Sequence, residues 1–252
     1  MVAAPEKAAR FRRAHEAASP GFVLGNVSSP GLARELQVLG FTAVGTSSAA
    51  LAEDLGLVDG APDLEALLAN ARGIAEAVEL PVSADLENGR ANDAAGLADV
   101  FRRAAQSGLA GASIEDAVAP DGDLFPLDQA CRRLEIACAA ARAACPGFVV
   151  TARTEVWCAA GPSLEATVRR LRAYEAAGAD VLFAPGLPWD GLQTVLEAIK
   201  RPLNVLVGLG DAALIPELFQ RGVKRVSLGA GLARAGRAAA ARAAGAVLEA
   251  GR

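Results

Sequence analysis

Three carboxylates stand at the ends of neighbouring β-type segments in the middle of the chain. Asp85 and Glu87 end the segment 81–87, and Glu115 lies near the end of the next segment, 111–117. Residues two apart on a strand point to one side of the pleat, and adjacent strands lie about 4.8 Å apart, so these side chains are expected to converge. Clustered carboxylates raise one another's pKa, which favours a hard divalent cation among them. The pattern predicts a Mg²⁺ site, with Mn²⁺ as a substitute, whereas a helix cap or a rim ion pair is the alternative for each single acid.

Arg153 is the arginine among these strand ends, and it lies near the end of the fifth segment, 148–155. Its planar guanidinium suits a substrate carboxylate or phosphoryl group beside the cation, although an ion pair to Glu155 or Glu115 would also occupy it. Small residues from Gly45 to Ala49 end the second segment, where backbone N–H groups could face an anion. Tight turns use small residues as well, so this run alone indicates little. The ends of segments six to eight offer almost nothing ionisable.

Eight short apolar segments recur along the chain, each followed by turn residues and then by a longer pattern of helical period. Their continuous apolar character is typical of parallel strands that are covered on both faces. The segments are 22–26, 41–47, 81–87, 111–117, 148–155, 181–186, 203–208 and 225–229. Helical patterns lie at 64–78, 93–107, 127–144, 164–177, 211–221 and 232–248. Strand and helix are therefore expected to alternate.

This alternation predicts an α/β fold, a (β/α)8 TIM barrel that forms one domain over residues 1–252, with an extra N-terminal helix at 5–18. An open, doubly wound sheet is the alternative, but the first turn, GFVLGNVSSP, lacks the GxGxxG pattern of dinucleotide-binding sheets. Functional groups in such barrels lie at the carboxyl ends of the strands. Local chemistry marks several helix ends: predicted C-terminal glycines are Gly40, Gly108, Gly178 and Gly222, and predicted N-caps are Asp63, Asn92, Ser163 and Asp211.

Composition limits the classes of partner and compartment. The chain of 252 residues is 52% hydrophobic and has a formal net charge of −4, without the basic excess that nucleic-acid binding requires. No apolar run reaches the length of a membrane span, and the N-terminal residues have no signal- or transit-peptide character. Four cysteines without CxxC spacing and a single histidine, His15, argue against a Cys/His metal site. We expect a cytoplasmic protein that binds neither nucleic acid nor membranes, with His15 in a structural role.

Seven stretches carry a resemblance to a known family, in its order and at its spacing. They are FTAVGTSSAALAEDLGLVDG, PVSADLENG, GASIEDA, VVTARTEVW, EAAGADVLFAPG, PLNVLVG and GVKRVSLGAGLARA. With these stretches, which span nearly the whole chain, the sequence resembles the isocitrate lyase/phosphoenolpyruvate mutase superfamily, in particular its short, mutase-like branch. The resemblance implies a magnesium-dependent barrel that acts on small 2-oxo or 2-hydroxy carboxylates as a homo-oligomer, a dimer or a tetramer.

The resemblance also implies roles for the residues at the matching motifs. Asp85 would be the nearest metal ligand, while Glu87 and Glu115 would hold the ion mainly through water molecules. Glu115 is counted among the predicted catalytic residues as well. Members of this superfamily cleave or form a bond beside a 2-oxo acid through an enolate, whose negative charge the cation offsets.

The resemblance implies substrate contacts from residues at the end of the second segment, from the loop that follows it, and from the fifth segment. Ser47, together with the backbone amides of Ser48 and Ala49, would bind the substrate carboxylate. Asp59, the acid that follows the Leu-Gly pair, would lie near the reacting carbon. Arg153 would bind the oxygen-rich end of the substrate. Asp59 and Arg153 complete the predicted catalytic set.

The loop after the fourth strand departs from the family. Lyase members carry Lys-Lys-Cys-Gly-His there, with the cysteine as acid/base, whereas this chain has Asp116–Asp123, without cysteine or histidine. This argues against ordinary isocitrate or methylisocitrate cleavage. The lysine and asparagine of the mutase gating loop are also absent, and Pro185 and Gly186 replace a polar pair of the mutase.

These observations favour a magnesium-dependent lyase of a small 2-oxo dicarboxylate, for example an oxaloacetate decarboxylase. A phosphonopyruvate hydrolase or phosphoenolpyruvate mutase-like enzyme is the second hypothesis. A protein that binds 2-oxo acids with little turnover is the third, and the short loop favours it. An unrelated phosphate-binding barrel, based on the glycines at 208–210 and 229–231, is the weakest alternative.

Overall fold

A computed structural model describes residues 4–16, 18–118, 122–158 and 162–252. Within these residues, eight parallel strands close into a barrel in chain order, and β8 pairs with β1. The strands are β1 (Phe22–Val27), β2 (Val44–Thr46), β3 (Val82–Asp85), β4 (Gly111–Glu115), β5 (Val149–Arg153), β6 (Val181–Phe183), β7 (Leu203–Leu206) and β8 (Arg225–Ser227). Seven predicted segments contain their strand and the first, 22–26, ends one residue short of β1, which confirms the predicted (β/α)8 barrel.

Helices follow the strands and form the outer layer of the barrel. They are α1 (Ala4–Ala14), α2 (Pro30–Val38), α3 (Ser48–Asp54), α4 (Leu64–Ala77), α5 (Ala94–Gln106), α6 (Leu127–Ala144), α7 (Leu164–Ala176), α8 (Leu192–Ala198), α9 (Ile215–Gln220) and α10 (Gly231–Ala250). Two helices, α3 and α4, lie between β2 and β3, so the predicted strict alternation is wrong at this connection. The loop between them carries Asp59.

Local chemistry explains most of the helix ends. All four predicted C-terminal glycines have positive φ angles, between 85° and 104°, a conformation in which glycine avoids the steric cost of a Cβ atom. Asp63 caps α4 and Ser163 caps α7 through hydrogen bonds accepted from backbone amides. The prediction for Asn92 is wrong by one residue, because the Asp93 carboxylate accepts the capping bond from the Gly96 amide.

The helix predicted at 211–221 is divided in the structure. A 3-10 helix spans Leu209–Leu214, and the α-helix α9 begins only at Ile215. Pro216 lies in the first turn of α9, where the missing N–H and the fixed φ angle of proline do no harm. The predicted N-cap role of Asp211 is therefore wrong.

The extra N-terminal helix closes the amino-terminal end of the barrel. Lys7 Nζ donates to the carbonyls of Ala75 and Val78 at 2.9 and 2.6 Å. Phe11 is fully buried, with its ring edge-on to His15 at 4.7 Å between centroids. The helix ends at Ala14, four residues earlier than predicted, and Ala17 lies outside the described residues.

Aliphatic side chains fill the layer between the strands and the helices, as the composition predicts. Fully buried examples from several elements are Ile74, Leu97, Leu109, Leu171, Leu182 and Leu203. Burial of each such side chain stabilises the fold by about 1.5–3 kcal/mol. Among the cysteines, Cys138 and Cys145 are buried in this layer, Cys131 is half-buried and Cys158 is exposed.

In the described part of the chain, the helices are all too short or too polar to cross a membrane.

Candidate active site

A cavity of about 240 Å³ opens at the carboxyl ends of the strands. Asp59 and Arg234 line its mouth, and Asp85 and Arg153 lie on its walls. Further lining residues come from seven strands or the turns that follow them: Asn26, Ser47, Ser48, Ala49, Ser83, Ser113, Phe183, Pro185, Asn204, Leu206, Arg225 and Ser227. The cavity therefore lies where the barrel fold predicts a functional site.

Asp85 is the acid whose carboxylate is most firmly positioned in the cavity. Its Oδ2 atom accepts hydrogen bonds from the Ser48 amide at 3.2 Å and the Ser48 hydroxyl at 2.9 Å. Its Oδ1 atom accepts one from the Ser113 hydroxyl at 3.2 Å, and its backbone amide donates to Thr46 Oγ1 at 2.8 Å. Strands β2, β3 and β4 thus jointly fix this carboxylate.

Arg153 stands among several carboxylates. One of its terminal nitrogens, Nη1, lies 3.3 Å from Glu115 Oε2 and 3.8 Å from Asp85 Oδ1, and its Nε donates to Glu155. The guanidinium is also 5.6 Å from the Phe183 ring centroid. Burial opposes the charge of Arg153, but the carboxylates outweigh it and raise the pKa of Arg153 above its ordinary value. Both ion pairs that the sequence suggested as alternatives, to Glu155 and to Glu115, are present.

Glu115 lies behind Arg153 and is largely buried. Burial raises the pKa of its carboxyl to about 8; Arg153 lowers it, while Asp85, Glu155 and Glu87 add to the rise. Negative charge is therefore in excess at this end of the barrel, despite Arg153. A proton on Glu115, or a cation beside it, would relieve this repulsion.

Glu87 does not share the inward face of Asp85, so the expected strand geometry is wrong here. Strand β3 ends at Asp85, and Glu87 has a left-handed backbone conformation with φ 52°. Its carboxylate accepts a hydrogen bond from Arg90 Nε, while Arg90 Nη2 donates to the Gly60 carbonyl at 2.5 Å. Burial raises the pKa of Glu87, Arg90 lowers it, and Asp85 and Asp59 raise it further. Ser83, two residues before Asp85, lines the cavity instead.

The predicted substrate-binding residues lie at the entrance to the cavity. Ser47 caps α3, and its Oγ accepts a hydrogen bond from the Ala50 amide at 3.3 Å. The Ser48 amide and hydroxyl are engaged by Asp85 rather than open to a ligand. Ala49 lines the cavity on the same helix turn, and the exposed Asp59 lies opposite in the loop after α3. The structure thus brings Ser47, Ala49 and Asp59 to one opening.

Hydrogen bonds hold both ends of the loop after β4. Ala117 pairs with Leu124 in an antiparallel bridge, and Asn88 Nδ2 donates to the carbonyls of Ala117 and Val118 at 3.2 and 2.9 Å. Residues 119–121 of the predicted 116–123 loop lie outside the described residues. The described part of this loop contributes neither a cysteine nor a histidine to the site.

Asp116 faces away from the cavity and is buried beneath the loop that follows β5. Its carboxylate accepts hydrogen bonds from the Thr154 hydroxyl at 2.7 Å, the Glu155 amide at 2.8 Å and the Tyr174 hydroxyl at 2.5 Å. Arg170 adds an ion pair at 3.2 Å. This network positions the turn that carries Glu155, the partner of Arg153.

The polar residues that β7 and β8 bring to the cavity were not predicted from the sequence. Asn204 and Arg225 lie side by side in the sheet register, and both line the closed end of the cavity together with Ser227. The expectation of almost nothing ionisable concerned only the ends of segments six to eight, whereas Arg225 lies at the start of β8. The signal was available, because an arginine and a serine two apart on a short strand share one face.

The oxygen atoms around Asp85 determine whether the site can hold Mg²⁺. Within the described residues, no three His, Cys, Asp or Glu side chains are grouped so that they could hold a metal ion, so the expected convergence of three carboxylates is wrong. Mg²⁺ nevertheless takes only one or two protein carboxylates and completes its octahedron with water and substrate oxygens. The Asp85 carboxylate, the Ser83 and Ser113 hydroxyls that line the cavity, and nearby Glu115 are hard oxygen donors of that kind. The residues present fit this ion.

Comparison with known proteins decides the family. The sequence profile described as phosphoenolpyruvate phosphomutase matches residues 11–248. The chain belongs to this family. It lies within the isocitrate lyase/phosphoenolpyruvate mutase superfamily, as the seven stretches predicted. A protein from Burkholderia cenocepacia J2315 that is provisionally described as a lyase/mutase has a similar crystal structure, with a TM-score of 0.90 and 40% identity over 99% of this chain and 91% of that one.

Curated relatives of this phosphomutase family member include carbon–carbon lyases. A 2-methylisocitrate lyase of Shewanella oneidensis is 30% identical over 92% of this chain and 82% of its own length. An oxaloacetate decarboxylase of Chromohalobacter salexigens is 31% identical over 83% and 72%. The chain spans only 53% and 63% of two Corynebacterium glutamicum relatives that are named for 2-methylisocitrate lyase. A phosphonopyruvate hydrolase solved with oxalate and Mg²⁺ shares the fold, with a TM-score of 0.86 at 24% identity over 99% of this chain and 88% of that one.

Proposed function

We propose that this protein is a magnesium-dependent carbon–carbon lyase that acts on a small 2-oxo or 2-hydroxy dicarboxylate through an enolate, for example an oxaloacetate decarboxylase. The observation that carries the proposal is the pairing of a rigidly held inward carboxylate, Asp85, with a guanidinium, Arg153, on the walls of one small cavity. The relationship to curated lyases supports the class of reaction.

The residues of the chain divide the work of binding and orientation. Asp85 would hold the cation, and Glu115 and Glu87 would bind its water molecules. The Ser47 hydroxyl and the Ala49 amide would donate hydrogen bonds to the substrate carboxylate. Bound Mg²⁺ would supply positive charge beside the oxygen on which the enolate charge develops.

Arg153 and Asp59 would act on the part of the substrate that departs. The Arg153 guanidinium can donate two parallel hydrogen bonds to a carboxylate or to the oxygen-rich end of the substrate. Asp59 lies at the mouth, where it can exchange a proton with solvent near the reacting carbon. Phe183, Pro185 and Leu206 add apolar surface to the wall of the cavity.

An activity panel with a matched pair of variants tests the proposal. Purified protein with Mg²⁺ is offered oxaloacetate and related 2-oxo and 2-hydroxy dicarboxylates, and pyruvate or an analogous 2-oxo acid is measured. We expect turnover that Asp85→Asn abolishes and that Asp99→Asn, a neutralised surface carboxylate on α5, retains. Absence of turnover across the panel would overturn the catalytic proposal.

Phosphonopyruvate hydrolysis or mutase chemistry is the second candidate, and the family match favours it. Release of inorganic phosphate from phosphonopyruvate, for the hydrolase, or its conversion to phosphoenolpyruvate, for the mutase, would separate it from the lyase. Binding of a 2-oxo acid with little turnover is the third candidate. The lack of cysteine and histidine in the described part of the loop after β4 favours this reading. Calorimetry that detects oxalate binding, together with an inactive panel, would support it.

We also propose a cytoplasmic homo-oligomer, a dimer or a tetramer. Val247 and Leu248 near the end of α10 are 73% and 67% exposed, and such apolar residues favour contact with another surface. The number and spacing of the four cysteines are not those of a secreted disulfide scaffold, which fits a reducing compartment. Light scattering after gel filtration should give two or four times the 25.6 kDa of one chain, and a monomer would contradict the assembly.

A further inference from the structure

The closed end of the cavity contains an arginine with neutral partners. Arg225 is only 3% exposed. Its Nε donates to Asn204 Oδ1 at 2.8 Å, its Nη2 donates to Thr151 Oγ1 at 3.1 Å, and its Nη1 lies 3.5 Å from His15 Nε2. Burial and the neighbouring Arg225 hold the pKa of His15 at about 3, so this imidazole is neutral at physiological pH.

Unlike Arg225, the two other arginines that line the cavity are paired with carboxylates. Arg153 contacts the carboxylates of Asp85, Glu115 and Glu155. Arg234, at the mouth, is paired with Glu53 at 2.5 Å. In the described chain no carboxylate lies within ion-pair distance of Arg225, and burial alone lowers the pKa of its guanidinium, to about 9. At neutral pH it therefore remains a cation whose charge the described residues do not offset.

Such a buried charge calls for a compensating partner. Removing an ion from water without an opposite charge costs several kcal/mol even after the surroundings relax. Hydrogen bonds to Asn204 and Thr151 reduce this cost but supply no negative charge. An anionic group of a ligand inside the cavity would supply it.

Donors are available at this end of the cavity. A guanidinium has five N–H groups, and the structure directs three of those of Arg225 towards Asn204, Thr151 and His15. Ser227 Oγ accepts a hydrogen bond from Asn204 Nδ2 at 2.9 Å, and within the described residues its own hydroxyl hydrogen has no acceptor. Arg225 and Ser227 both line the cavity, so these donors can meet a ligand there.

We propose that Arg225, together with the Ser227 hydroxyl, binds an anionic group at the closed end of the cavity and thereby selects substrates with carboxylates at both ends. This inference rests on the proposed function and deepens it, because it assigns the choice of a dicarboxylate over a monocarboxylate to β8. The Asp85 site would receive the other end of the molecule.

A matched ligand pair isolates this selection. Malate and 2-hydroxybutyrate share a four-carbon 2-hydroxy acid skeleton and differ in a terminal carboxylate against a methyl group. Oxalate reports on the Asp85 end. Calorimetry in Mg²⁺ measures all three ligands on the wild type, Arg225→Met and Arg102→Met, the last of which removes a surface arginine of α5 that is 50% exposed.

We expect the wild type and Arg102→Met to bind malate at least about tenfold more tightly than 2-hydroxybutyrate, as a charge-assisted pair of hydrogen bonds allows. Arg225→Met should reduce this preference to about threefold or less and leave oxalate affinity within about twofold of the wild type. A folded Arg225→Met variant that binds oxalate and keeps the malate preference would overturn the proposal.

A milder variant covers the case in which Arg225→Met does not fold. Ser227→Ala removes one hydroxyl and leaves the guanidinium in place. We expect it to lower the malate preference about threefold, and an unchanged preference in that folded variant would overturn the proposal. Failure of the wild type to bind oxalate with Mg²⁺ would instead contradict the proposed function, so the two failures are distinguishable.

Discussion

The backbone amide and the hydroxyl of Ser48 both donate to a single oxygen of Asp85, at 3.2 and 2.9 Å. The first turn of α3 therefore fixes the orientation of the carboxylate that faces the cavity. Ser48 is a positioning residue, because it acts on a ligand through Asp85.

Ser48→Ala should weaken Mg²⁺ binding more than it weakens the fold. Loss of a hydrogen bond that orients a metal ligand typically reduces affinity by about 10–100-fold, whereas the free energy of unfolding should fall by only about 1 kcal/mol. Titration calorimetry and denaturant unfolding measure the two effects. Ser163→Ala is the matched control, because it removes the cap of α7 at a similar cost of about 1 kcal/mol. Equal Mg²⁺ affinity in the two variants would contradict the positioning role.

Tyr174→Phe should lower the free energy of unfolding by about 1–3 kcal/mol, because the buried Asp116 carboxylate loses its 2.5 Å hydrogen bond from the Tyr174 hydroxyl. Burial, reinforced by Asp116, raises the pKa of this phenol above its ordinary value. Tyr174 is the chain's single tyrosine, so tyrosinate absorbance should appear only as the protein unfolds in alkali. Tyrosinate absorbance in a protein whose circular dichroism is still native would show that the hydroxyl is not held in this way.

The single histidine should stay neutral in the folded protein down to acidic pH. Burial, with Arg225 adding to it, lowers the pKa of His15 to about 3, against about 6.5 in an unfolded chain. As the pH falls below about 6.5, the unfolded chain gains a proton that the folded chain does not, so stability decreases by up to about 1.4 kcal/mol per pH unit from this group. The contribution is fully present above that pH.

Nuclear magnetic resonance and a variant check the behaviour of His15. The lone imidazole resonance should not titrate between about pH 8 and pH 5 while the fold persists. His15→Gln keeps a donor and an acceptor but cannot titrate, so its free energy of unfolding should fall less steeply with acid. An imidazole that titrates near its ordinary pKa in the folded state would refute the buried arrangement.

Thiol reactivity should follow burial. Cys158 is exposed, Cys131 is half-buried, and Cys138 and Cys145 are buried. Burial raises the pKa of the Cys138 thiol to about 12, which disfavours the reactive thiolate. A thiol reagent should therefore modify one cysteine quickly in the native protein, and Cys158→Ser should remove that fast phase. Fast modification of Cys138 in the native protein would contradict the packing of α6.

Much of the barrel could be predicted from the sequence because its signals are local. Continuous apolar segments marked every strand, and glycines with positive φ marked the helix ends at Gly40, Gly108, Gly178 and Gly222. The N-cap prediction for Asp211 was wrong, because α9 begins only at Ile215, with Pro216 in its first turn. The N-terminal helix ends earlier than predicted. Just after its end, the His15 side chain lies inside the protein, where it contacts the Phe11 carbonyl and Arg225.

The site was harder to predict because it depends on tertiary contacts. Asp85 and Arg153 could be placed from the strand ends alone. The orientation of Glu87 could not, because its left-handed conformation is stabilised by Arg90. The shared face of Arg225 and Ser227 on β8 could be predicted, but the inward orientation of Arg225 could not, because it depends on neutral partners from β5, from β7 and from His15 just after α1.

Arg90 joins two loops that the sequence keeps apart. It binds the Glu87 side chain with one nitrogen and the Gly60 carbonyl with another, next to Asp59. A change in either loop would thus shift the other. Chimeras that exchange substrate preference between relatives should therefore transplant residues 55–63 and 86–90 together, since a loop of different length or path at 55–63 would move the backbone carbonyl that Arg90 binds.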